Sequence, residues 1–264
     1  MKKILVGIFV LFLTISFANA KEHLDITYKK GIYHIIIPIS ESKDIEFISS
    51  EKLITNKEAH KKYRSKLTIN AGFFDPNNEK TISYIYNDGI MAENPLMNEN
   101  IINNKELMNN WGKIANRGEF RIIKQDNKYI CDITEHSTKY DGELLTSGQG
   151  GPILLPNMDL EKEFFIVKEG NNIIRESASV LHKTARTIIG LNNTDIHILI
   201  ITDKQPMTIY QAQNFCKKIG LEKALALDGG SSTSLNYKNK IHIVSTGIKG
   251  DDTGRKLKSF LIYK

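Results

Sequence analysis

The sequence predicts an α+β fold: a single domain with a mixed β-sheet core, a β-rich N-terminal section over residues 21–66 and a C-terminal β-α-β unit. Runs of β-branched and alternating apolar residues recur along the chain, and one amphipathic helix lies between two apolar strands. No internal repeat or linker divides the sequence. A length of 264 residues, with 41% hydrophobic and 25% charged residues, is typical of one large globular domain with a substantial core.

The first 20 residues predict a secretory signal peptide. Two lysines precede an apolar run over residues 4–17, and Ala18-Asn19-Ala20 fits the small-residue cleavage site. An uncleaved anchor is the alternative, but the run is shorter than the roughly 20 residues of a membrane span. No lipobox cysteine stands at the cleavage point. We therefore expect a periplasmic or secreted protein with no stable membrane span after signal cleavage.

The charge pattern and the two cysteines argue against nucleic-acid binding and against a zinc or redox site. The formal net charge is +6, and it falls to +4 when Lys2 and Lys3 leave with the signal peptide. Nucleic-acid binding is not expected, because lysines are mixed with acidic residues and no arginine-rich block occurs. Cys131 and Cys216 lack the CxxC spacing of a zinc or redox site, and a disulfide between them stays open.

The N-terminal section predicts strands and one weak helix. Residues 26–28 and 31–38 predict a β-hairpin, and a short strand follows at 44–48. Residues 55–66 have weak helical character, and an apolar run at 67–69 predicts a strand. That strand leads into Asn70-Ala71-Gly72-Phe73-Phe74, which is either a ligand-binding segment or a hydrophobic turn in which Asn70 bonds the backbone.

The middle of the chain has three features of interest. Residues 88–116 are rich in asparagine and contain the single tryptophan, so they form either a sugar-binding loop or a solvated loop. Residues 119–133 predict a hairpin, and Gly150-Gly151-Pro152 is a turn before a strand at 153–155. Arg186 heads a buried strand, where a guanidinium needs either a structural carboxylate or a substrate anion.

The C-terminal unit is predicted as strand, helix, strand. Apolar runs at 196–201 and 224–227 flank a helix that starts at a capping box formed by Thr208 and Gln211. A right-handed crossover would lay the two strands parallel or nearly so, with Asp203 and Asp228 at their carboxyl ends. We therefore expect the two carboxylates to share one cleft.

The segment after the second strand is the strongest site candidate. Asp228 is followed by two glycines and three hydroxylated residues, up to Thr233. Such a turn presents a carboxylate beside bare backbone N–H groups that can receive an oxyanion. The alternative is a plain turn, because Asp-Gly is also a hairpin signal.

Five motifs in a fixed order resemble the phosphodiester glycosidase domain family, from about Leu67 to the C-terminus. Where the family commonly has a glycine and often an arginine after the first aspartate, this chain has Lys204-Gln205. The motifs are Asn70-Ala71-Gly72-Phe73-Phe74, Gly150-Gly151-Pro152-Ile153-Leu154, Ala185-Arg186-Thr187, Thr202-Asp203 and Leu227-Asp228-Gly229-Gly230-Ser231-Ser232-Thr233.

The resemblance implies a phosphodiester glycosidase, a hydrolase that cleaves the glycosidic C–O bond of a sugar-1-phosphodiester. The substrate would be an N-acetylglucosamine-type glycan or an envelope glycophosphate. Asp228 and Asp203 would be the acid/base or nucleophile pair, and Arg186 would stabilise the phosphate leaving group. The residues expected to bind substrate are Asn70, Gly72, Phe73, Gly150, Gly151, Gly229, Gly230, Ser231, Ser232 and Thr233. No cofactor or metal is expected, although a carboxylate cluster with Asn70 could hold a divalent cation such as calcium.

Two other functions stay open. The altered loop at Lys204-Gln205 is compatible with a non-catalytic envelope protein that binds sugars or glycophosphates in the same cleft. A phosphodiesterase would break the P–O bond instead, and the lack of a histidine-rich dimetal motif in the sequence counts against it.

Overall fold

The computed structural model describes residues 24–245 and 254–264. The predicted signal peptide, residues 1–20, lies outside the described residues. The strands are β1 (Asp25–Lys29), β2 (Ile32–Pro38), β3 (Ile45–Ile54), β4 (Leu67–Asn70), β5 (Ile85–Asn87), β6 (Ile90–Glu93), β7 (Gly118–Gln125), β8 (Lys128–Glu135), β9 (Glu143–Gln149), β10 (Ile153–Leu155), β11 (Ile166–Glu169), β12 (Asn172–Glu176), β13 (Arg186–Leu191), β14 (Asp195–Ile201), β15 (Lys223–Ala226), β16 (Ser234–Tyr237), β17 (Ile241–Val244) and β18 (Leu257–Tyr263). The α-helices are α1 (Asn56–Tyr63), α2 (Glu99–Ile102), α3 (Lys105–Asn109), α4 (Trp111–Ala115) and α5 (Ile209–Lys218), and 3₁₀ turns lie at Ile39–Asp44, Pro95–Met97 and Gly230–Ser232.

A six-stranded sheet in the order β1-β2-β14-β13-β15-β10 carries the predicted β-α-β unit. Because β13 pairs antiparallel with both β14 and β15, these two strands run in the same direction on either side of it. Helix α5 connects them, so the residues after both strands lie at one edge of the sheet. The α+β class is confirmed. The expected mixed sheet differs in one respect, since every strand pair in the described residues is antiparallel.

Two five-stranded sheets, with strand orders β17-β16-β4-β18-β3 and β6-β5-β9-β7-β8, and the two-stranded sheet β11-β12 complete the fold of the described residues. The N-terminal section contributes strands to two of the three larger sheets, because β2 pairs with β14 and β3 pairs with β18. Its strands are therefore integral to the same structure as the C-terminal unit.

The largest hydrophobic core in the described residues lies where the three larger sheets meet. Alternate residues of β14 face opposite sides, which explains why its apolar run is continuous. Ile196, Ile198 and Ile200 join the core between the sheets, whereas Leu199 and Ile201 join a second core beneath α5.

Capping boxes begin the two longest helices of the described chain. Thr208 and Gln211 form the predicted one at α5, with the hydroxyl and the side-chain amide bonding each other's backbone N–H groups. Thr55 and Glu58 form a second at α1, where the sequence shows only weak helical character.

The asparagine-rich segment is not a loop, and this corrects the sequence interpretation. It folds into β6 and three short helices, α2, α3 and α4. Asn98 and Asn104 accept hydrogen bonds from backbone N–H groups at the starts of α2 and α3. Three of the asparagines that the sequence suggests as sugar-binding amides, Asn94, Asn98 and Asn104, are therefore helix caps.

The two cysteines are free thiols, Cys131 in β8 and Cys216 buried on α5, so the disulfide is not formed. Burial raises the pKa of both thiols to about 12. None of the helices in residues 24–245 and 254–264 has the length and apolar character to span a membrane.

Substitution of Gly148 tests how tightly the sheets pack. A Cβ atom there would lie 2.2 Å from two ring carbons of the fully buried Phe47. We expect Gly148→Ala to lower the free energy of unfolding by about 3 kcal/mol, because the ring has no room to move. Gly112→Ala is the matched control, since no atom lies within 4 Å of its Cβ position. On helix α4 it should be neutral or stabilise by up to about 1 kcal/mol. Equal denaturation midpoints for the two variants would contradict this packing.

Candidate active site

Asp228 lies in the first residues after β15, at the sheet edge that the topology predicts. Its backbone N–H donates to the carbonyl of Ala71 at 2.9 Å. The hydroxyl of Ser232 and the backbone N–H of Gly229 favour the ionised form of its carboxylate and so act to lower its pKa. Burial nevertheless raises the pKa of this carboxyl to about 6, against the opposing effects of those donors and of Arg255.

Asn70 holds this turn in place. Its side-chain oxygen accepts from the Thr187 hydroxyl at 2.7 Å and from the Ser234 backbone N–H at 3.0 Å. Its side-chain nitrogen donates to the backbone carbonyl of Asp228. The side chain is 1% exposed, so the amide acts on the protein backbone and positions Asp228.

The backbone N–H groups of Gly230, Ser232 and Thr233 donate within the fold. The N–H of Gly230 donates to the carbonyl of Ala185 at 2.8 Å, and that of Ser232 donates to the carbonyl of Gly229. Gly230 has a φ of +57°, the left-handed conformation that favours glycine. These groups therefore build the turn, and the side chains around it supply the donors that a ligand would meet.

Arg255 supplies such a donor, and the sequence analysis does not single it out. Its Nη1 donates to the hydroxyls of Ser231 and Ser232, at 3.2 and 3.3 Å. Its guanidinium lies 4.7 Å from the centre of the Phe74 ring. The Ser232 hydroxyl also acts to lower the pKa of Asp228, so it interacts with both the cation and the carboxylate. A sequence signal does exist, since Gly254-Arg255 precedes β18 much as Arg186 opens β13.

Asp228 and Arg255 line a cavity of about 310 Å³. Two more arginines, Arg117 and Arg175, lie in its wall, and so does Phe73. The remaining wall is aromatic and apolar: Phe74, Ile82, Ile101, Leu107, Ile114, Phe165, Ser177 and Ala178. Helices α2, α3 and α4 provide Ile101, Leu107 and Ile114. A cavity of this kind joins charged donors to a surface on which a sugar face can pack.

The other expected glycines pack close to the backbone. A Cβ on Gly72 would lie 2.6 Å from that of Ser83, and one on Gly150 would lie 2.5 Å from the carbonyl oxygen of Ala226. Gly151 has a φ of +127° and packs against Phe165, one of the cavity residues. Gly72, Gly150 and Gly151 therefore allow the chain to pack closely next to the cavity. Phe73 lines the cavity directly.

Arg186 has a different environment from the one expected. Its guanidinium donates to four backbone carbonyls, those of Met207, Ser179, Val180 and His182, at 2.6–3.3 Å. The residue is 5% exposed, and burial lowers its pKa to about 10. It therefore braces the loop that carries Ser177 and Ala178 to the cavity, and it is not among the residues that line that cavity.

Asp203 also departs from expectation. It lines another cavity, of about 380 Å³, with Tyr28, Tyr33 and Lys204. Its carboxylate accepts a hydrogen bond from the Ser245 hydroxyl at 2.7 Å. The shared edge of the sheet is present, but the two carboxylates line different cavities in the described part of the chain.

The described residues contain no group of three or more histidine, cysteine, aspartate or glutamate side chains arranged to hold a metal ion. The calcium alternative places a carboxylate cluster beside Asn70, whose side-chain oxygen already accepts two protein hydrogen bonds. A cation there would have to replace those bonds.

A family model described as phosphodiester glycosidase matches residues 63–263. No curated protein matches the chain. Among solved structures, the zebrafish N-acetylglucosamine-1-phosphodiester alpha-N-acetylglucosaminidase catalytic domain, auto-inhibited by its pro-peptide, is similar with a TM-score of 0.66 and 14% identity, covering 91% of this chain and 81% of that one.

Two bacterial structures share the fold as well. A hypothetical protein from Synechocystis has a TM-score of 0.58 and 13% identity, covering 90% of this chain and 61% of that one. A Burkholderia pseudomallei protein described as exported has a TM-score of 0.58 and 11% identity, covering 88% of this chain and 73% of that one.

The raised pKa of Asp228 predicts a pH-dependent effect of Asp228→Asn on stability. The folded pKa of about 6 lies above the usual 3.8, so the wild type loses stability as the pH rises through 6 and the buried carboxyl ionises. Asparagine does not ionise, so the variant does not lose this stability. The free energy of unfolding of Asp228→Asn minus that of the wild type should therefore increase by up to about 3 kcal/mol between pH 4 and 7.5. Urea denaturation across this range measures the difference.

Asp141→Asn, at an exposed carboxylate, controls for the loss of one charge. Parallel stability curves for the wild type and Asp228→Asn would show that burial does not act on this carboxyl as described.

Proposed function

The chain belongs to the phosphodiester glycosidase family, and from this membership and the cavity at Asp228 we propose that it hydrolyses the glycosidic C–O bond of a sugar-1-phosphodiester. Family members are hydrolases that act on phosphodiester sugars. The zebrafish relative is an N-acetylglucosaminidase, so an N-acetylglucosamine-type glycan or an envelope glycophosphate is the first substrate class to test.

The observation that carries the proposal is the pairing of Asp228 with Arg255 in one cavity. A phosphodiester bears one negative charge, and the guanidinium fork is suited to its oxygens. The apolar and aromatic wall offers a surface to the sugar ring. The hydroxyl of Ser232 accepts from Arg255 and also favours the ionised form of Asp228, so it links the proposed anion-binding side chain to the proposed catalytic carboxylate.

The leaving group decides which chemistry Asp228 has to supply. When the bond between the anomeric carbon and the phosphate oxygen breaks, its electron pair leaves with the phosphate monoester. That anion is stable and needs little protonation, so we assign its stabilisation to Arg255. The ionised carboxylate of Asp228 stabilises the positive charge that develops at the anomeric carbon. Water adds its oxygen to that carbon, and the proton it loses passes to the surrounding solvent.

The support for Asp203 as the second carboxylate is its position at the same sheet edge as Asp228. It lines a different cavity from Asp228, so the proposed reaction depends on Asp228 and Arg255. Asp203→Asn is therefore expected to keep more activity than Asp228→Asn.

We propose that this reaction takes place outside the cytoplasm, in the periplasm or the surrounding medium. The support is the signal-peptide pattern of residues 1–20. Mass spectrometry of the N-terminus after expression with export tests this, because cleavage after Ala20 would leave Lys21 as the first residue.

The direct test compares turnover by the wild type with turnover by variants of Arg255 and Asp228. The wild type should release free N-acetylglucosamine from an alkyl-phosphate-linked donor, and Arg255→Gln should lower kcat/KM by about 10²–10³-fold because it removes the anion donor. Asp228→Asn should abolish turnover. Arg64→Gln, at an exposed arginine after α1, is the matched control and should leave turnover unchanged.

Hydrolysis in ¹⁸O-water identifies the bond that breaks. Label on the sugar supports C–O cleavage, whereas label on the phosphate would indicate a phosphodiesterase. No turnover of any donor, combined with a rise in melting temperature on adding sugar phosphates, would identify a binding protein.

The pH profile reports the form in which Asp228 acts. With a pKa of about 6, the carboxyl ionises as the pH rises through that value. Therefore kcat/KM should rise about tenfold per pH unit below pH 6 and level off above it, because the ionised form is the active one. Activity that falls above pH 6 would instead make Asp228 a general acid and overturn its assigned role.

A further inference from the structure

Arg117 and Arg175 form a second cationic position in the cavity of Asp228. Both guanidiniums donate to one carbonyl oxygen, that of Phe164, with Nη2 of Arg117 and Nη1 of Arg175 each at 3.2 Å. Two positive charges held this close repel each other, and burial lowers the pKa of Arg117 to about 10. The arrangement is therefore costly unless something negative comes to it.

The carboxylates near this pair are already engaged with other groups. Arg117 is 7% exposed and forms no ion pair within the described residues. The charge of the Glu163 carboxylate favours the charged form of Arg117, but both oxygens of that carboxylate accept from the backbone N–H groups of Gly118 and Ile153. Arg175 pairs through Nε with Glu106 at 3.1 Å, but that glutamate side chain is 58% exposed. Such an exposed ion pair contributes little.

The carbonyl on which both arginines meet belongs to a strained residue. Phe164 has a φ of +57°, a left-handed conformation that a phenylalanine rarely adopts. The Arg175 guanidinium packs 4.2 Å from the ring centre of Phe164, and that of Arg117 packs 4.0 Å from the ring centre of Phe165. Each cation is thus held in a fixed orientation by an aromatic face.

Aromatic side chains connect this pair to the other end of the cavity. The ring centres of Phe165 and Phe73 lie 6.0 Å apart, and the next residue, Phe74, packs against Arg255. The cavity is therefore cationic at two positions with aromatic rings between them. A ligand that spans it would place apolar ring faces in the middle and anionic groups at both ends.

We propose that Arg117 and Arg175 bind a second anionic group of the substrate, so that the preferred glycosyl phosphodiester carries a further carboxylate or phosphate. This inference rests on the function proposed above. Arg255 binds the phosphodiester beside Asp228, and the free Nη groups of Arg117 and Arg175 bind the second anion. The second charge belongs either to the sugar or to the alcohol part of the phosphodiester, and the two sources require different donors.

Three donors test the proposal on the intact protein. The first is the methyl phosphodiester of N-acetylglucosamine 1-phosphate, which carries one charge. The second is the methyl phosphodiester of glucuronic acid 1-phosphate, which adds a carboxylate on the sugar. The third replaces methyl with 2-carboxyethyl on the N-acetylglucosamine donor, which adds a carboxylate on the alcohol. One of the two dianionic donors should have a kcat/KM about tenfold or more above that of the first, as expected for a charge-assisted hydrogen bond.

Substitution of Arg175 separates binding of the second anion from a general structural role. Arg175→Gln should remove the preference, lowering kcat/KM about tenfold for the dianionic donor and less than about twofold for the monoanionic one. Glu106→Gln should keep or increase the preference, because it releases Arg175 from its partner. Lys105→Gln, an exposed neighbour on α3, controls for the loss of one charge.

Each result either supports or rejects the second anion site at Arg117 and Arg175. Equal kcat/KM values for all three donors in the wild type, or an equal loss for all three in Arg175→Gln, would overturn the inference. If no donor is hydrolysed, the proposed function fails, and calorimetric affinities for the same three compounds judge the second anion site alone. Tighter binding of a dianionic compound that is lost in Arg175→Gln supports the site, whereas equal affinities reject it.

Discussion

The side chain of Asn70 is the constraint on which the candidate site depends. It ends β4 in one sheet, and its amide bonds Thr187 of β13 in another sheet, Ser234 of β16 and the backbone after β15. An amide can donate and accept at the same time, which a carboxylate of the same shape cannot do. The position of Asp228 is therefore set by an uncharged group. The pKa of the Asp228 carboxyl is then set by burial, by Ser232 and by Arg255.

Arginine is used selectively in this chain. The sequence contains 6 arginines among 36 basic residues, and Arg117, Arg175 and Arg255 all line the cavity of Asp228. Arg186 braces the loop at its wall. Lysine carries the same charge but lacks the planar fork of five N–H donors, so it cannot present two parallel N–H groups in one fixed plane. The scarcity of arginine in a lysine-rich chain is itself a sequence signal that could have pointed to Arg255.

Local patterns predict much of the fold and less of the site. The capping box of α5, the strands around it and the shared sheet edge follow from periodicity and from the handedness of crossovers. The separate cavities of Asp203 and Asp228 do not, because a sequence contains no distances. Arg186 heads its strand as expected, but only the folded loops show that carbonyls surround its guanidinium. The asparagines of residues 88–116 were ambiguous because capping and sugar binding use the same amide groups.

The place of β18 in its sheet determines when the site can exist during synthesis. This strand lies between β4 and β3 although it comes after both in the chain, and Ser259 receives the N–H groups of Ala71 and Gly72 beside Asn70. Arg255 lies two residues before it. A nascent chain therefore carries the turn at Asp228 before it carries either Arg255 or the strand that supports Asn70. Chains interrupted before Leu257–Tyr263 emerges from the ribosome lack the strand that supports the turn, so the cavity at Asp228 forms only after β18 has been made.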